Sequence, residues 1–261
     1  MKAGHKGRSK GIYLLPNLFT TAALFAGFYA MIAAIKGQFV LAGAIIFVAM
    51  VFDALDGRVA RATNTQTAFG AEYDSLADMV SFGVAPALIV YQWALGDMGK
   101  IGWLGAFIYT AAAALRLARF NTQVGVADKR YFQGLPSPAA AALVAGMVWL
   151  GADQGLSGGN WYLMAWGVTV AAALLMVSNV RFNSFKEIDL RNRVPFVVLL
   201  LGVLAFVIIF ISPSLTLFGS FLIYTLSGVI QTLVHRRQRR ALRRKAREAI
   251  ARKRAAGQGK G

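Results

Sequence analysis

LLPNLFTTAALFAGFYAMIAAI, residues 14 to 35, runs for twenty-two positions without a charged side chain. About twenty apolar residues cross the hydrocarbon core of a bilayer as a helix. The stretch outruns the short apolar core that precedes the cleavage site of a secretory signal peptide, so it reads as a retained first span. Seven further apolar segments follow, near 38–56, 77–96, 101–119, 135–152, 161–180, 194–211 and 214–234. The predicted fold is an all-α integral membrane protein of about eight transmembrane helices. Composition agrees: 57% of the 261 residues are hydrophobic and the mean hydropathy is +0.55, more apolar side chain than a soluble core of this length needs. Gly83, Pro86, Gly146 and Gly202 interrupt these segments, as small and kinking residues do where helices pack closely in lipid.

The net charge of +17 needs a membrane explanation, because a basic nucleic-acid binder does not also carry repeated apolar stretches of spanning length. Eight spans put both termini on one side. Twenty-six of the 28 Lys and Arg residues then fall on that side, and only Lys36 and Lys100 on the other. By the positive-inside rule both termini are cytoplasmic, in the cell (inner) membrane. Residues 1–234 form the polytopic membrane domain and 235–261 a basic cytoplasmic tail. The run HRRQRRALRRKAREAIARKR, 235 to 254, is expected to fix topology and attract anionic lipid, with RNA or the ribosome as the alternative partner. His5 and His235 lie in basic tails with no second ligand at metal spacing. With no cysteine in the chain, thiol nucleophiles and thiolate zinc sites are excluded.

Five of the eleven acidic residues fall between Asp53 and Asp78. Only sixteen uncharged residues separate Lys36 from Asp53, fewer than a full span, so Asp53 is placed at the cytoplasmic edge of the hydrocarbon region. Carboxylates are expensive there, and intramembrane ionisable groups are by default functional. Asp53, Asp56, Gly57, Ala60 and Arg61 stand at i, i+3, i+4, i+7 and i+8, one face of a helix. Gly70, Asp74 and Asp78 stand at i, i+4 and i+8, again one face, with Glu72 off it. Two such faces turned toward each other make an all-oxygen pocket for hard divalent cations, Mg²⁺ or Mn²⁺. The small Gly57, Ala60 and Gly70 let a large group approach the backbone, and Arg61 suits a phosphate. The competing account pairs the aspartates with Arg58 and Arg61 as interface salt bridges, but four carboxylates against two arginines leave negative charge in excess.

The stretch DALDGRVARATNTQTAFGAEYDSLAD, 53 to 78, fits the pattern D-x2-D-G-x2-A-R-x8-G-x3-D-x3-D throughout and so resembles the CDP-alcohol phosphotransferase family. That resemblance implies transfer of a phosphatidyl or related group from a CDP-linked donor to an alcohol, with release of CMP and two divalent metals. It implies that Asp53, Asp56 and Asp74 bind metal, and that Asp78 binds metal and serves as general base. The CDP moiety would lie against Gly57, Ala60 and Gly70, with Arg61 near the donor phosphates.

RLARFN (116–121), FQGLPSPAA (132–140), PNLFT (16–20) and SNVRFNSFK (178–186) are similar to strings of the phosphatidylserine synthase branch of that family. The similarity implies CDP-diacylglycerol as donor and L-serine as acceptor, with Asn17 and Thr20 at the nucleotide and Arg116, Arg119 and Asn121 as candidates for serine or donor phosphate recognition. Only fifteen uncharged residues lie between Lys100 and Arg116, which places both arginines at the depth of the aspartates; positive-inside anchoring explains them equally well. Membrane lipids and a second copy, as a homodimer, are the expected partners; nucleic acid is not. Two alternatives stand beside this reading. One is a sister enzyme that uses glycerol 3-phosphate or inositol phosphate, and the other is a cation transporter whose aspartates line an ion path.

Overall fold

The computed structural model describes residues 14–122, 131–183, 196–232 and 234. Among the described residues the chain forms eight helices: α1 Leu14–Ile35, α2 Phe39–Thr63, α3 Ala68–Met98, α4 Lys100–Thr122, α5 Ser137–Asp153, α6 Gly158–Val177, α7 Phe196–Ile211 and α8 Pro213–Thr232. Two three-residue strands, β1 Tyr131–Gln133 and β2 Arg181–Asn183, pair antiparallel with Phe132 opposite Phe182. The all-α membrane architecture is as the hydropathy predicts. Among the described residues six helices are long and apolar enough to cross a membrane; α5, with 17 residues, is shorter than the span expected at 135–152, and the span expected at 194–211 begins outside the described residues.

The burial of α5 follows from its sequence. Its sequence is apolar on all sides, twelve of its residues are buried, and it packs against α2, α3 and α6. A helix without a polar face belongs inside the protein. The outer helices present apolar side chains outward, with Phe25 68% and Phe210 82% exposed, a surface suited to lipid. Small residues set the helix spacings. A Cβ on Gly27 of α1 would stand 2.5 Å from Ser81 Oγ of α3, and one on Gly43 of α2 would stand 2.9 Å from the Ala145 carbonyl oxygen of α5. Gly83 and Gly146 pack in the expected way, against Met79 and Ala113 and against Phe47 and Phe218. Gly202 does not: no described atom lies within 4 Å of its would-be Cβ.

α2 and α3 reach beyond the spans read from hydropathy, and the turn between them explains why. Asn64 takes a left-handed conformation, φ 52°, and its N–H closes the end of α2 on the Ala60 and Arg61 carbonyls. Thr67 then caps α3, its Oγ1 accepting the Gly70 N–H at 2.9 Å. Helix is therefore continuous through all four aspartates, and the turn folds α3 back along α2. Immediately after Asp78 the helix widens to π geometry at Met79–Val84, and again at Tyr91–Leu95. The first wide turn is held from two sides: the Ser81 hydroxyl donates to the Ala23 carbonyl at 3.0 Å, and the Tyr109 hydroxyl of α4 donates to the Phe82 carbonyl at 3.0 Å. Such insertions occur often at functional sites.

The basic tail 235–261, Lys2 to Lys10 with His5, and Lys129, Arg130, Lys186, Arg191 and Arg193 lie outside the described residues.

Candidate active site

The α2–α3 hairpin turns the two carboxylate faces toward each other. Asp53 and Asp56 project from α2, Asp74 and Asp78 from α3. Antiparallel pairing about the turn brings Asp53 within hydrogen-bonding reach of Asp78, and Asp56 within reach of Asp74. One oxygen from each of Asp53, Asp56 and Asp74 lies within 4.8 Å of the other two, a spacing at which one cation can touch all three. Asp78 stands beside this triad, against Asp53. Glu72 is exposed and apart, as its place on the helix predicts.

α1 closes one side. The Thr20 hydroxyl, buried, donates to Asp56 Oδ2 at 2.7 Å, and Asn17 Oδ1 comes within 3.4 Å of the position a Cβ on Gly70 would take. One turn further out, the Thr21 hydroxyl meets the Tyr73 hydroxyl at 2.9 Å, tying α1 to α3 next to Asp74. On α2 the Arg61 guanidinium lies back over Gly57, its Nη1 3.4 Å from a would-be Cβ there. Ala60 lies one turn beyond Gly57, half-buried, and its carbonyl accepts the capping N–H bonds of Asn64 and Thr65. Asn17, Thr20, Gly57, Arg61 and Gly70 thus gather around the triad, although they come from three helices.

The second group of candidates divides. Arg116 of α4 stands beside Asp53 and Asp78, with Tyr109 and Tyr224 also near it. Its Nη1 donates to Ser137 Oγ at 2.6 Å, while its Nε is buried without a hydrogen-bond partner. Arg119 turns elsewhere and donates to the Val177 carbonyl at 3.2 Å, joining α4 to α6. Asn121 exchanges hydrogen bonds with Ser75, the residue after Asp74, at 3.1 and 3.2 Å. Sequence reasoning missed Ser137, Tyr109 and Tyr73. Ser137 sits within the string FQGLPSPAA, but no local pattern links it to an arginine twenty-one residues earlier.

The salt-bridge account of the aspartates is not what the geometry offers. Arg58 is exposed, Arg61 lies over Gly57, and among the described residues neither forms an ion pair with the cluster. Four carboxylates converge with Arg116 beside two of them and negative charge still in excess, an all-oxygen donor set that fits hard divalent cations.

Fold and site together define a polytopic helical membrane protein with a carboxylate cluster, a candidate cation site, between two hairpin helices. The family model for CDP-alcohol phosphatidyltransferase matches residues 13–178, and the chain belongs to that family of phosphotransferases. Two Helicobacter pylori relatives, from strains J99 and 26695, are 41% and 39% identical over 196 and 225 residues, covering 75% and 85% of this chain and 83% and 92% of theirs. A Mycobacterium tuberculosis relative is 34% identical over 206 residues, covering 76% of this chain and 70% of its own. All three are named CDP-diacylglycerol–serine O-phosphatidyltransferase.

Proposed function

We propose that this protein transfers the phosphatidyl group of CDP-diacylglycerol to the hydroxyl of L-serine, releasing CMP. The observation that carries the reading is the convergence of Asp53, Asp56 and Asp74 within 4.8 Å, in a chain whose relatives of that name match it over most of their length. Two divalent cations, Mg²⁺ or Mn²⁺, would be held by Asp53, Asp56, Asp74 and Asp78, and when bound would neutralise the diphosphate and the departing CMP.

The chain's own residues do the remaining work. Asn17, Thr20, Gly57, Ala60 and Gly70 receive the cytidine end of the donor, the small residues leaving room for it, and Arg61 faces its phosphates. Thr20 holds Asp56 in place through its 2.7 Å hydrogen bond. Asp78 takes the proton from the serine hydroxyl as that oxygen bonds to the phosphatidyl phosphorus and the bond to CMP breaks. Arg116, beside Asp78, attracts the serine carboxylate; its buried unpartnered Nε supports this assignment. Arg119 and Asn121 act as wall residues, through Val177 and Ser75. The site faces the cytoplasm in an eight-span, inner-membrane arrangement, and the functional unit is a homodimer.

Purified protein supplied with CDP-diacylglycerol, serine and Mg²⁺ or Mn²⁺ is expected to release CMP. No release above the no-serine control overturns the proposal, and faster release with glycerol 3-phosphate or inositol phosphate reassigns the acceptor.

A further inference from the structure

α3 carries a proline in its interior, eight residues after Asp78. In an α-helix the Phe82 carbonyl would accept the N–H of residue 86, but Pro86 has no N–H and its ring crowds that carbonyl. The helix answers by widening. Met79–Val84 is π-helical, and the Ala85 N–H reaches back to the Val80 carbonyl. The Phe82 carbonyl finds its donor on another helix: the Tyr109 hydroxyl of α4 donates to it at 3.0 Å, and both residues are fully buried.

The same face of α4 meets α3 at two more levels. Tyr109, Ala113 and Arg116 stand at i, i+4 and i+7, one face of the helix. A Cβ on Gly83 would lie 3.2 Å from Ala113 Cβ, so the two helices approach there as closely as a glycine allows. Arg116, about 10 Å beyond Tyr109 at 1.5 Å per residue, stands beside Asp78. Phe82 in turn lies one turn beyond Asp78. The hydroxyl bond is therefore a tether between α3 and α4 close to the level at which Arg116 meets the carboxylates, and any rotation or retreat of α4 at Tyr109 moves the guanidinium. On its other side the wide turn is held to α1, by the Ser81 hydroxyl at the Ala23 carbonyl, a bond that does not involve α4.

We infer that Tyr109 is a positioning residue for the acceptor: through the Phe82 carbonyl it fixes the distance and rotation of α4 against α3, and with them the place of the Arg116 guanidinium beside Asp78. The inference rests on the acceptor role proposed above for Arg116. The Tyr109 hydroxyl is engaged by the Phe82 carbonyl, so it acts through Arg116 and not on the substrate.

The test measures kcat and KM for serine and for CDP-diacylglycerol, by CMP release in detergent, in the unsubstituted protein, Tyr109→Phe and Ser81→Ala. Tyr109→Phe keeps the ring and removes only the tether, whereas Ser81→Ala frees the same wide turn from α1. Expected for Tyr109→Phe is a rise of about fivefold or more in the serine KM, with the donor KM within about twofold. Ser81→Ala is expected to leave the serine KM within about twofold. In an Arg116→Gln background, adding Tyr109→Phe is expected to raise the serine KM no further, because the group it positions is gone. An unchanged serine KM in Tyr109→Phe, the same rise in Ser81→Ala, or a full additional rise in the Arg116→Gln background overturns the inference while the acceptor assignment stands. Should Tyr109→Phe not be recovered as folded protein, Gly83→Ala, which presses α4 away from α3 through Ala113, takes its place with the same expected and overturning results. No serine-dependent CMP release from the unsubstituted protein overturns the acceptor assignment and the inference with it.

Discussion

At Asp78 the chemistry narrows to one proton. Its carboxyl meets Asp53 on the facing helix, outside the three-carboxylate group that shares a common point. Asp78→Asn keeps size and polarity but removes the proposed base, so turnover is expected to fall about a hundredfold or more while donor binding persists. Full activity in that variant, measured by CMP release beside a donor-binding assay, would remove Asp78 as the base. Ser137 invites a subtler test. Its hydroxyl accepts a hydrogen bond from Nη1 of Arg116, whose buried Nε has no partner among the described residues. Ser137→Ala leaves the guanidinium less constrained, which is expected to raise the serine KM about five- to tenfold with kcat little changed. A fall confined to kcat would instead show that Ser137 does not act through acceptor binding. The Ser137 contact was not legible locally. The identity of each aspartate is apparent from spacing, but which arginine turns inward depends on α5 and α6, since Arg119 finds the Val177 carbonyl and Arg116 does not.

The working element is the α2–α3 hairpin, and its precision comes from ordinary capping chemistry. Thr67→Ala removes the Oγ that holds the Gly70 N–H at 2.9 Å and is expected to lower stability by about 1 kcal/mol, read as a lowered thermal midpoint in detergent. An unchanged midpoint would mean that packing alone holds the turn. α1 is seated against α3 at Gly27, where even a methyl group would meet Ser81 at 2.5 Å. Gly27→Ala is therefore expected to cost about 1–3 kcal/mol and to reduce activity, by shifting the helix that carries Asn17 and Thr20. Wild-type stability and activity in that variant would show the α1–α3 seat to be loose. The hairpin pairing was partly readable in advance: Asp53 with Asp78 and Asp56 with Asp74 lie at nearly equal distances from the turn at Thr65 and Gln66, as antiparallel helices require. The extent of α2 and α3 was not readable. Hydropathy ends where polar residues begin, whereas a capped helix continues through them.

For the molecule as a whole, orientation is the quantity to measure, and the absence of cysteine makes the chain ready for it. Single cysteines at Gln66, in the α2–α3 turn, and at Gln154, after α5, are both exposed. In intact cells an impermeant maleimide is expected to label Gln154→Cys and to spare Gln66→Cys until the membrane is opened; the reverse pattern would invert the topology. Hydropathy carried the membrane class, because it follows from transfer free energies that each residue contributes almost independently. Helical periodicity carried the pairing of carboxylates within one helix, because neighbours at i+3 and i+4 are fixed by local geometry. Contacts between helices obey neither rule. That Arg116 rather than Arg119 reaches the carboxylates, that Ser137 meets it, that α5 is a buried pillar and that Tyr109 meets the Phe82 carbonyl all depend on how far each helix is rotated and how deep it sits. Those are set by side-chain fit at places such as Gly27 against Ser81 and Gly43 against α5, which exist only once the helices are packed.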